Sequence, residues 1–362
     1  MGADAESGNG IVLAVCAGCG EALHARDRFC EGCGRARPSK PLVPATLVLH
    51  EGRGRVAPSG CVDCGAPLVS ADGYCEACGF RQPSGRERVE FELAGPAVAA
   101  PGPSRAAGVS DIGRRRSRNE DAFAMTSSPG AVCAVVCDGV ASAPGSEAAA
   151  LAAAETGAAV LARRLAVGSD AEEATRAAVR RAADAVGDLA GAPHTAPACT
   201  YVSAVAAGDA ITVGWVGDSR AYWLREGAAR VQRGEALTRD DIWAVRMVAR
   251  KAMSERDAWA DPRAHLLTAW LGADAGTVDP HVVTFAPPGP GVLLVCSDGL
   301  WNHFPEPADL AAVLDAGPDP AAAPLAAAQG LVRAALDAGG HDNVTVALIP
   351  YPSAEPTREP PR

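Results

Sequence analysis

Short apolar runs at 131–137, 200–206, 210–216, 221–224, 292–296 and 344–349 punctuate the C-terminal two thirds of the chain and read as strands. Between the first and second lies an Ala-rich stretch, 146–189, with helical character. Gly168 breaks it, and Ser169-x-x-Glu172 reads as a capping box that starts a second helix. A further helical region, 308–338, is interrupted near 318–324. Runs of strands with paired helices predict an α+β sandwich, helices outside stacked sheets, over one domain at 108–350. Residues 351–362 read as a disordered tail. Residues 81–107 are rich in Pro, Gly and Ala, carry one short alternating patch at 89–93, and read as a linker.

The N-terminal region 1–80 has no such pattern, and its order comes from cysteine. Cys16-x-x-Cys19-Gly and Cys30-x-x-Cys33-Gly are separated by ten residues, and Cys61-x-x-Cys64-Gly and Cys75-x-x-Cys78-Gly repeat that spacing 45 residues later. This is an internal duplication. A Cys-x-x-Cys turn aims two thiolates at one point, and the glycine after it can take positive φ so that the turn closes. Two turns supply the four thiolates of a closed tetrahedral Zn²⁺ shell, which leaves no position for water and implies a structural role. Segments this small cannot bury a core, so the metal would supply the folding energy. Redox-active pairs would instead want one Cys-x-x-Cys opening a helix in an αβ context, which is not seen. The remaining four of the twelve cysteines, Cys133, Cys137, Cys199 and Cys296, sit in apolar runs and read as buried thiols.

Charge and hydropathy exclude several classes. The formal net charge is −10 and no long basic block is present, which argues against bulk attraction to nucleic acid or anionic membrane. No window approaches the ~18 uninterrupted apolar residues of a membrane span. The polar start, with Asp4 and Glu6 and no basic n-region, does not read as a signal peptide. A cytoplasmic location is the expectation. The N-terminal cysteine modules show no basic face, so a protein partner suits them better than nucleic acid.

Five acidic motifs carry the chemistry: Asn119-Glu120-Asp121, Asp138-Gly139, Gly217-Asp218-Ser219-Arg220, Ser297-Asp298-Gly299 and Gly340-His341-Asp342-Asn343. Three place an Asp just after an apolar run; in the last, the strand follows the Asp. A carboxylate at the end of a buried strand is held rigidly and aimed out of the sheet. Several at neighbouring strand ends make a site of hard oxygen ligands, suited to Mg²⁺ or Mn²⁺. Taken singly, Asp-Gly is a common turn, and Arg116 lies in a basic run, 114–118, whose default is solvation.

Together and in order, these motifs resemble the metal-dependent protein phosphatases, the PPM or type 2C class. The resemblance rests on Asp111-Ile-Gly113-x-x-Arg116-x-x-Asn119-Glu120-Asp121, Asp138-Gly139, Gly217-Asp218-Ser219-Arg220, Leu237-Thr238-x-Asp240, Leu267-Thr268-x-x-Leu271-Gly272, Ser297-Asp298-Gly299-Leu300 and Gly339-Gly340-x-Asp342-Asn343-x-Thr345. It implies a PPM-type β-sandwich flanked by helices and preceded by a double zinc ribbon. It implies a Mn²⁺- or Mg²⁺-dependent serine/threonine phosphatase with two ions, a weak third, and a water that attacks phosphorus without a phosphoenzyme. Asp138 would bridge the two ions, the Gly139 carbonyl would ligate one, and Asp298 and Asp342 would complete the other shell. Asp218 would help to hold the third ion. Glu120 and Asp121 would hold metal-bound waters, Arg116 would bind the phosphate of a phosphoprotein substrate, and Asn343 would orient Asp342 or its turn.

Departures from the family pattern support a rival reading, a weak or inactive phosphoprotein-binding module. Val140-Ala141-Ser142 replaces a bulky residue and two glycines, so Cβ atoms are expected to crowd the site. Asn302 stands where an acidic third-ion ligand is common, and Asp241 where a candidate acid His is usual. His194, His265, His281, His303 and His341 have no paired ligand at useful spacing and read as ordinary. The six tryptophans, Trp215, Trp223, Trp243, Trp259, Trp270 and Trp301, read as packing residues.

Overall fold

The computed structural model describes residues 14–15, 22–23, 46–48, 61, 63–70, 74–79, 82, 85–93, 105–128, 130–191, 196–227 and 230–351. The first predicted thiolate set, Cys16, Cys19, Cys30 and Cys33, and the tail after 351 lie outside the described residues. Near the N-terminus β1 (Ala14–Val15) and β2 (Ala22–Leu23) pair antiparallel. Two antiparallel six-stranded sheets build the large domain. The first holds, in spatial order, β14 (His281–Phe285), β10 (Ala210–Val216), β9 (Tyr201–Ala207), β7 (Ala131–Cys137), β6 (Ala122–Ser128) and β3 (Thr46–Val48). The second holds β12 (Arg230–Ala236), β11 (Arg220–Gly227), β15 (Gly291–Cys296), β16 (Val344–Tyr351), β5 (Ala106–Asp111) and β4 (Arg88–Leu93). A short pair, β8 (Ala198–Cys199) with β13 (Leu271–Gly272), lies beside them.

The apolar runs are continuous because both faces of the central strands are covered. In β7, Cys133, Val135 and Cys137 face α1 (Ser146–Ala166) and α2 (Ala171–Gly187), whereas Val132, Ala134 and Val136 face the other sheet. In β15, Leu293 and Val295 face the first sheet, and Val292, Leu294 and Cys296 face α6 (Pro307–Ala316) and α7 (Pro324–Asp337). The layers are therefore helix, sheet, sheet, helix, as the α+β reading expects. Phe123, Met125, Trp223 and Leu293 are fully buried between the sheets. At about 1.5–3 kcal/mol per large apolar side chain, these outweigh surface ion pairs worth about 0–1 kcal/mol each. Helix α1 approaches its sheet at Gly157, where an added Cβ would lie 2.6 Å from the Tyr201 hydroxyl. Among the described residues no helix is long and apolar enough to cross a membrane.

Three sequence expectations change. The helix break at Gly168 holds, with φ at +78°, but the cap is Asp170, whose carboxylate accepts the Glu172 and Glu173 N–H groups. Ser169 is one position too early. The stretch read as linker contains β4, which pairs with β5 from Arg88↔Asp111 to Leu93↔Ala106. Leu93 is buried and Val89 and Phe91 pack on the inter-sheet core, so the second sheet begins well before 108. Of the tryptophans, Trp259 is 39% exposed, on α4 (Glu255–Ala260) beside α3 (Trp243–Ala249), and packs against no core.

Candidate metal centre

Both sheets deliver carboxylates to the same end of the sandwich. β7 stops at Cys137 and presents Asp138; β10 stops at Val216 and presents Asp218 after Gly217. β15 leads through Ser297 to Asp298 at the start of α5 (Asp298–Trp301), and Asp342 stands just before β16. A cleft of about 190 Å³ between them is lined by Arg116, Glu120, Asp138, Gly139, Asp218, Asp298 and Asp342. Seven of the eight residues predicted from sequence for this centre thus meet in one place. Two glycines allow the approach. An added Cβ at Gly139 would lie 2.7 Å from the Glu120 carbonyl oxygen and 2.8 Å from that of Ser146. One at Gly299 would lie 1.8 Å from the Asn343 carbonyl oxygen, so only glycine lets the turn carrying Asp298 pack against the turn carrying Asp342.

The eighth residue, Asp121, is fully buried behind the cleft and does not line it. Its Oδ2 accepts the Ser297 hydroxyl at 2.7 Å, and Ser297 Oγ in turn accepts the Thr345 N–H at 3.0 Å. It holds the Ser297-Asp298 turn from behind, while its other oxygen, Oδ1, is buried with no hydrogen-bond partner among the described residues. Asn343 ties loops together: its side chain accepts the Glu120 N–H at 2.8 Å and donates to the Ile112 and Arg118 carbonyls. The loop bearing Arg116 and Glu120 is thus fastened to the turn bearing Asp342.

The carboxylates raise one another's pKa. Burial pushes Asp138 well above the usual range, and the charges of Asp121, Asp298, Asp218 and Asp342 push it further. Burial and then Asp342 lift Asp298 to about 6, against the pull of Arg116. Burial and then Asp298 and Asp240 lift Asp218 to about 8. Arg116 donates to Asp342 Oδ2 at 2.5 Å, one guanidinium against a cluster of carboxylates. Crowded oxygen donors short of positive charge fit hard divalent cations.

Supporting residues emerge that the sequence reading left aside. Thr200 Oγ1 accepts the Asp138 N–H at 3.1 Å and shares a hydrogen bond with Ser219 Oγ at 2.7 Å. Ser146 donates its hydroxyl to Glu120 Oε1 at 2.5 Å instead of capping α1. Arg220 grips Asp240 through two bonds, at 2.9 and 2.7 Å, and lies 3.7 Å over the Trp301 ring. Trp301 donates to the Asp218 carbonyl at 2.9 Å. His265, read as ordinary, is on the cleft wall beside Leu267. His281 meets Asp241 at 2.9 Å, and Asp241 also accepts the Gly217 N–H. Ala141 and Ser142 are exposed, and Val140 and Ala141 line the cleft beside Gly139. Asn302 donates its side-chain amide to Asp298 Oδ2 at 3.1 Å and lies outside the cleft lining.

The four thiols of the second cysteine set gather away from this cleft. The Sγ atoms of Cys61, Cys64, Cys75 and Cys78 lie within 4.8 Å of one another. Gly65 and Gly79, which follow the two pairs, have φ of +73° and +72°, the left-handed turn that the spacing predicts. Desolvation raises the Cys61 thiol, but N–H donors from Cys64 and Asp63 outweigh it and bring the thiol down to about 6, where it is largely thiolate at neutral pH.

Comparison with known proteins agrees with the fold. The family description Protein phosphatase 2C matches residues 108–334, and the chain belongs to that family. It is 32% identical over 151 residues to the serine/threonine phosphatase stp of Listeria innocua, which covers 41% of this chain and 55% of that protein. The chain thus spans about half the length of the curated relatives it matches. The crystal structure of the Mycobacterium tuberculosis serine/threonine phosphatase PstP/Ppp is 25% identical with a TM-score of 0.55, covering 68% of this chain and 97% of that one. The catalytic domain of PstP in complex with two manganese ions is 24% identical with a TM-score of 0.53, covering 69% and 98%.

Proposed function

We propose that this chain is a Mn²⁺- or Mg²⁺-dependent serine/threonine phosphoprotein phosphatase. The observation that carries this reading is the meeting of Asp138, Asp218, Asp298, Asp342 and Arg116 in one cleft. The carboxylates are spaced around a cleft instead of converging on one point as the thiolates do, which suits more than one ion. Asp138, the Gly139 carbonyl, Asp298 and Asp342 would hold two ions, and Asp218 a third. When bound, the ions neutralise the carboxylates, polarise the phosphoryl group and lower the pKa of water. The chain's own residues do the rest. Arg116 turns its planar fork toward phosphate oxygens, a bidentate match that Lys could not make. Glu120, oriented by Ser146, accepts hydrogen bonds from cleft water. Thr200, through the Asp138 N–H, fixes the strand end that presents the central carboxylate. Similarity to the serine/threonine phosphatases stp and PstP/Ppp supports serine/threonine phosphoesters as the substrate class.

The same reading assigns one structural Zn²⁺ to Cys61, Cys64, Cys75 and Cys78, and a second to Cys16, Cys19, Cys30 and Cys33 by the duplication. The modules would dock a protein partner, and the location would be cytoplasmic. The test is turnover of p-nitrophenyl phosphate and a phosphothreonine peptide with and without Mn²⁺. Turnover that Mn²⁺ supports and Asp298→Asn abolishes is expected. Metal-independent turnover, or none with any divalent ion, overturns the proposal.

A further inference from the structure

One side chain, shortly after the thiolate cluster in sequence, reaches the back wall of the cleft. Gln82 follows the last cysteine pair and donates its amide to Cys61 Sγ at 3.2 Å. Four positions later, Arg86 reaches across the domain. Its Nη2 donates to the Asp121 carbonyl at 2.8 Å, and its Nη1 meets Glu147 Oε1 at 3.2 Å. Asn119 returns the contact by donating to the Arg86 carbonyl at 3.0 Å. Arg88 then pairs with Asp111 at 2.7 Å, and the Ile112 N–H donates to the Glu87 carbonyl at 2.8 Å. Residues 86–88 are thus each bonded to residues 111–121, the loop that carries Arg116 and Glu120.

The two acceptors of Arg86 matter because of their neighbours. Glu147 follows Ser146, whose hydroxyl holds Glu120, and Asp121 follows Glu120, whose carbonyl accepts the Gly139 N–H at 3.2 Å. Arg86 therefore clamps the start of α1 to the loop, with Glu120 and Gly139 held between them. The Arg86 and Glu147 side chains are 20% and 31% exposed, partly withdrawn from water, and a guanidinium with two acceptors fixes direction as well as distance.

We propose that Arg86 is a positioning residue through which the Cys61–Cys78 metal site controls the geometry of the cleft. An ordered thiolate cluster holds Gln82, four positions before Arg86. Loss of that metal slackens the approach, and the clamp on Glu120 and Gly139 loosens. The site then acts as a sensor of zinc supply or thiol state and not only as a spacer. This rests on the phosphatase reading for its kinetic arm, and its second arm is independent of it.

The experiment uses the full chain as wild type, Arg86→Ala, Arg86→Lys, Cys64→Ser with Cys75→Ser, and the triple variant. The first readout is hydrogen–deuterium exchange of the amides of 119–123 and 138–140. The second is kcat and KM for p-nitrophenyl phosphate at saturating Mn²⁺. Misplacement of catalytic groups by an ångström costs up to about 100-fold. A loosened clamp is expected to lower kcat about 10-fold with KM unchanged, and to speed exchange in both segments by a similar factor. Arg86→Lys, which reaches one acceptor but not two, recovers part of each. The cysteine double variant reproduces the Arg86→Ala pattern, and the triple variant adds nothing further, as expected for sites acting through one link. Effects that multiply in the triple variant, or exchange at 119–123 unchanged by Arg86→Ala, overturn the proposal. Should Arg86→Ala fail to fold, Arg86→Lys and Glu147→Gln carry the same comparison. A wild-type chain without turnover would remove the phosphatase reading, and exchange would still decide the coupling.

Discussion

Asp218→Asn should stabilise the metal-free protein, and only above acidic pH. Asp218 is lifted to about 8, chiefly by burial and then by Asp298 and Asp240. In the unfolded chain it titrates near 3.8. Between these values the native state keeps a proton that the unfolded state has lost. Stability is therefore complete below pH ~4 and is lost as pH rises toward 8. At pH 7 the gap is about 3 pH units, which at 1.36 kcal/mol each comes to about 4 kcal/mol as a ceiling. Asparagine keeps the shape and cannot ionise. The difference between variant and wild type should grow from about zero at pH 4 to a few kcal/mol at pH 7. With a urea slope of about 2–3 kcal/mol/M for a domain of this size, the midpoint moves by about 1 M. The assay is urea unfolding in EDTA, read by tryptophan fluorescence, because all six tryptophans lie between 215 and 301 and report the large domain alone. Added Mn²⁺ should narrow the difference by stabilising wild type more than the variant. A variant no more stable than wild type at pH 7, or equally favoured at pH 4, would refute the claim that these carboxylates repel one another.

Three further outcomes are expected. Asp138→Ala and Asp298→Asn should each abolish Mn²⁺-dependent turnover with the circular dichroism spectrum unchanged; wild-type rates in either would dissolve the assigned centre. Leu93→Ala should cost about 2–4 kcal/mol by opening a hole in the inter-sheet core, and a chain beginning at residue 105, which keeps all of β5, should melt lower than one beginning at 82 because it lacks β4; equal melting temperatures would return the stretch before β5 to the status of linker. Asn302→Asp adds a carboxylate beside Asp298, which Asn302 now touches at 3.1 Å, and should shift the Mn²⁺ dependence of turnover to lower concentration, since affinity rises with ligand charge; superimposable titrations would remove position 302 from the metal site.

How far the sequence could be read depended on how many faces of each element are buried. β7, β9, β10, β15 and β16, covered on both faces, announced themselves as apolar runs, and the aspartates at their ends followed, whereas β5 and β6, equally buried but broken by Gly, Ser and Thr, did not. β4, with Arg-Val-Glu-Phe-Glu-Leu, is an edge strand with one face on the core. Its alternation was visible as a patch at 89–93, but the surrounding Pro and Gly outweighed it. β12 and β14 are edge strands as well, and neither forms an apolar run. Asp121 sits deeper than Glu120 for a reason the chain itself contains. Successive residues entering a strand point to opposite faces, so Glu120 and Asp121, just before β6, could not both look into the cleft. Glu120 faces it, and Asp121 turns inward to Ser297. The contacts of Arg86, by contrast, had no local signal. Its partners are 35 and 61 residues away, and only the folded chain brings the exit from the cysteine cluster against the loop of Glu120. Spacing in the sequence revealed the thiolates and the carboxylates separately. That one clamps the wall of the other is a property of the sheet order, which puts β4 beside β5 and so carries Arg86 to the back of the loop of Glu120.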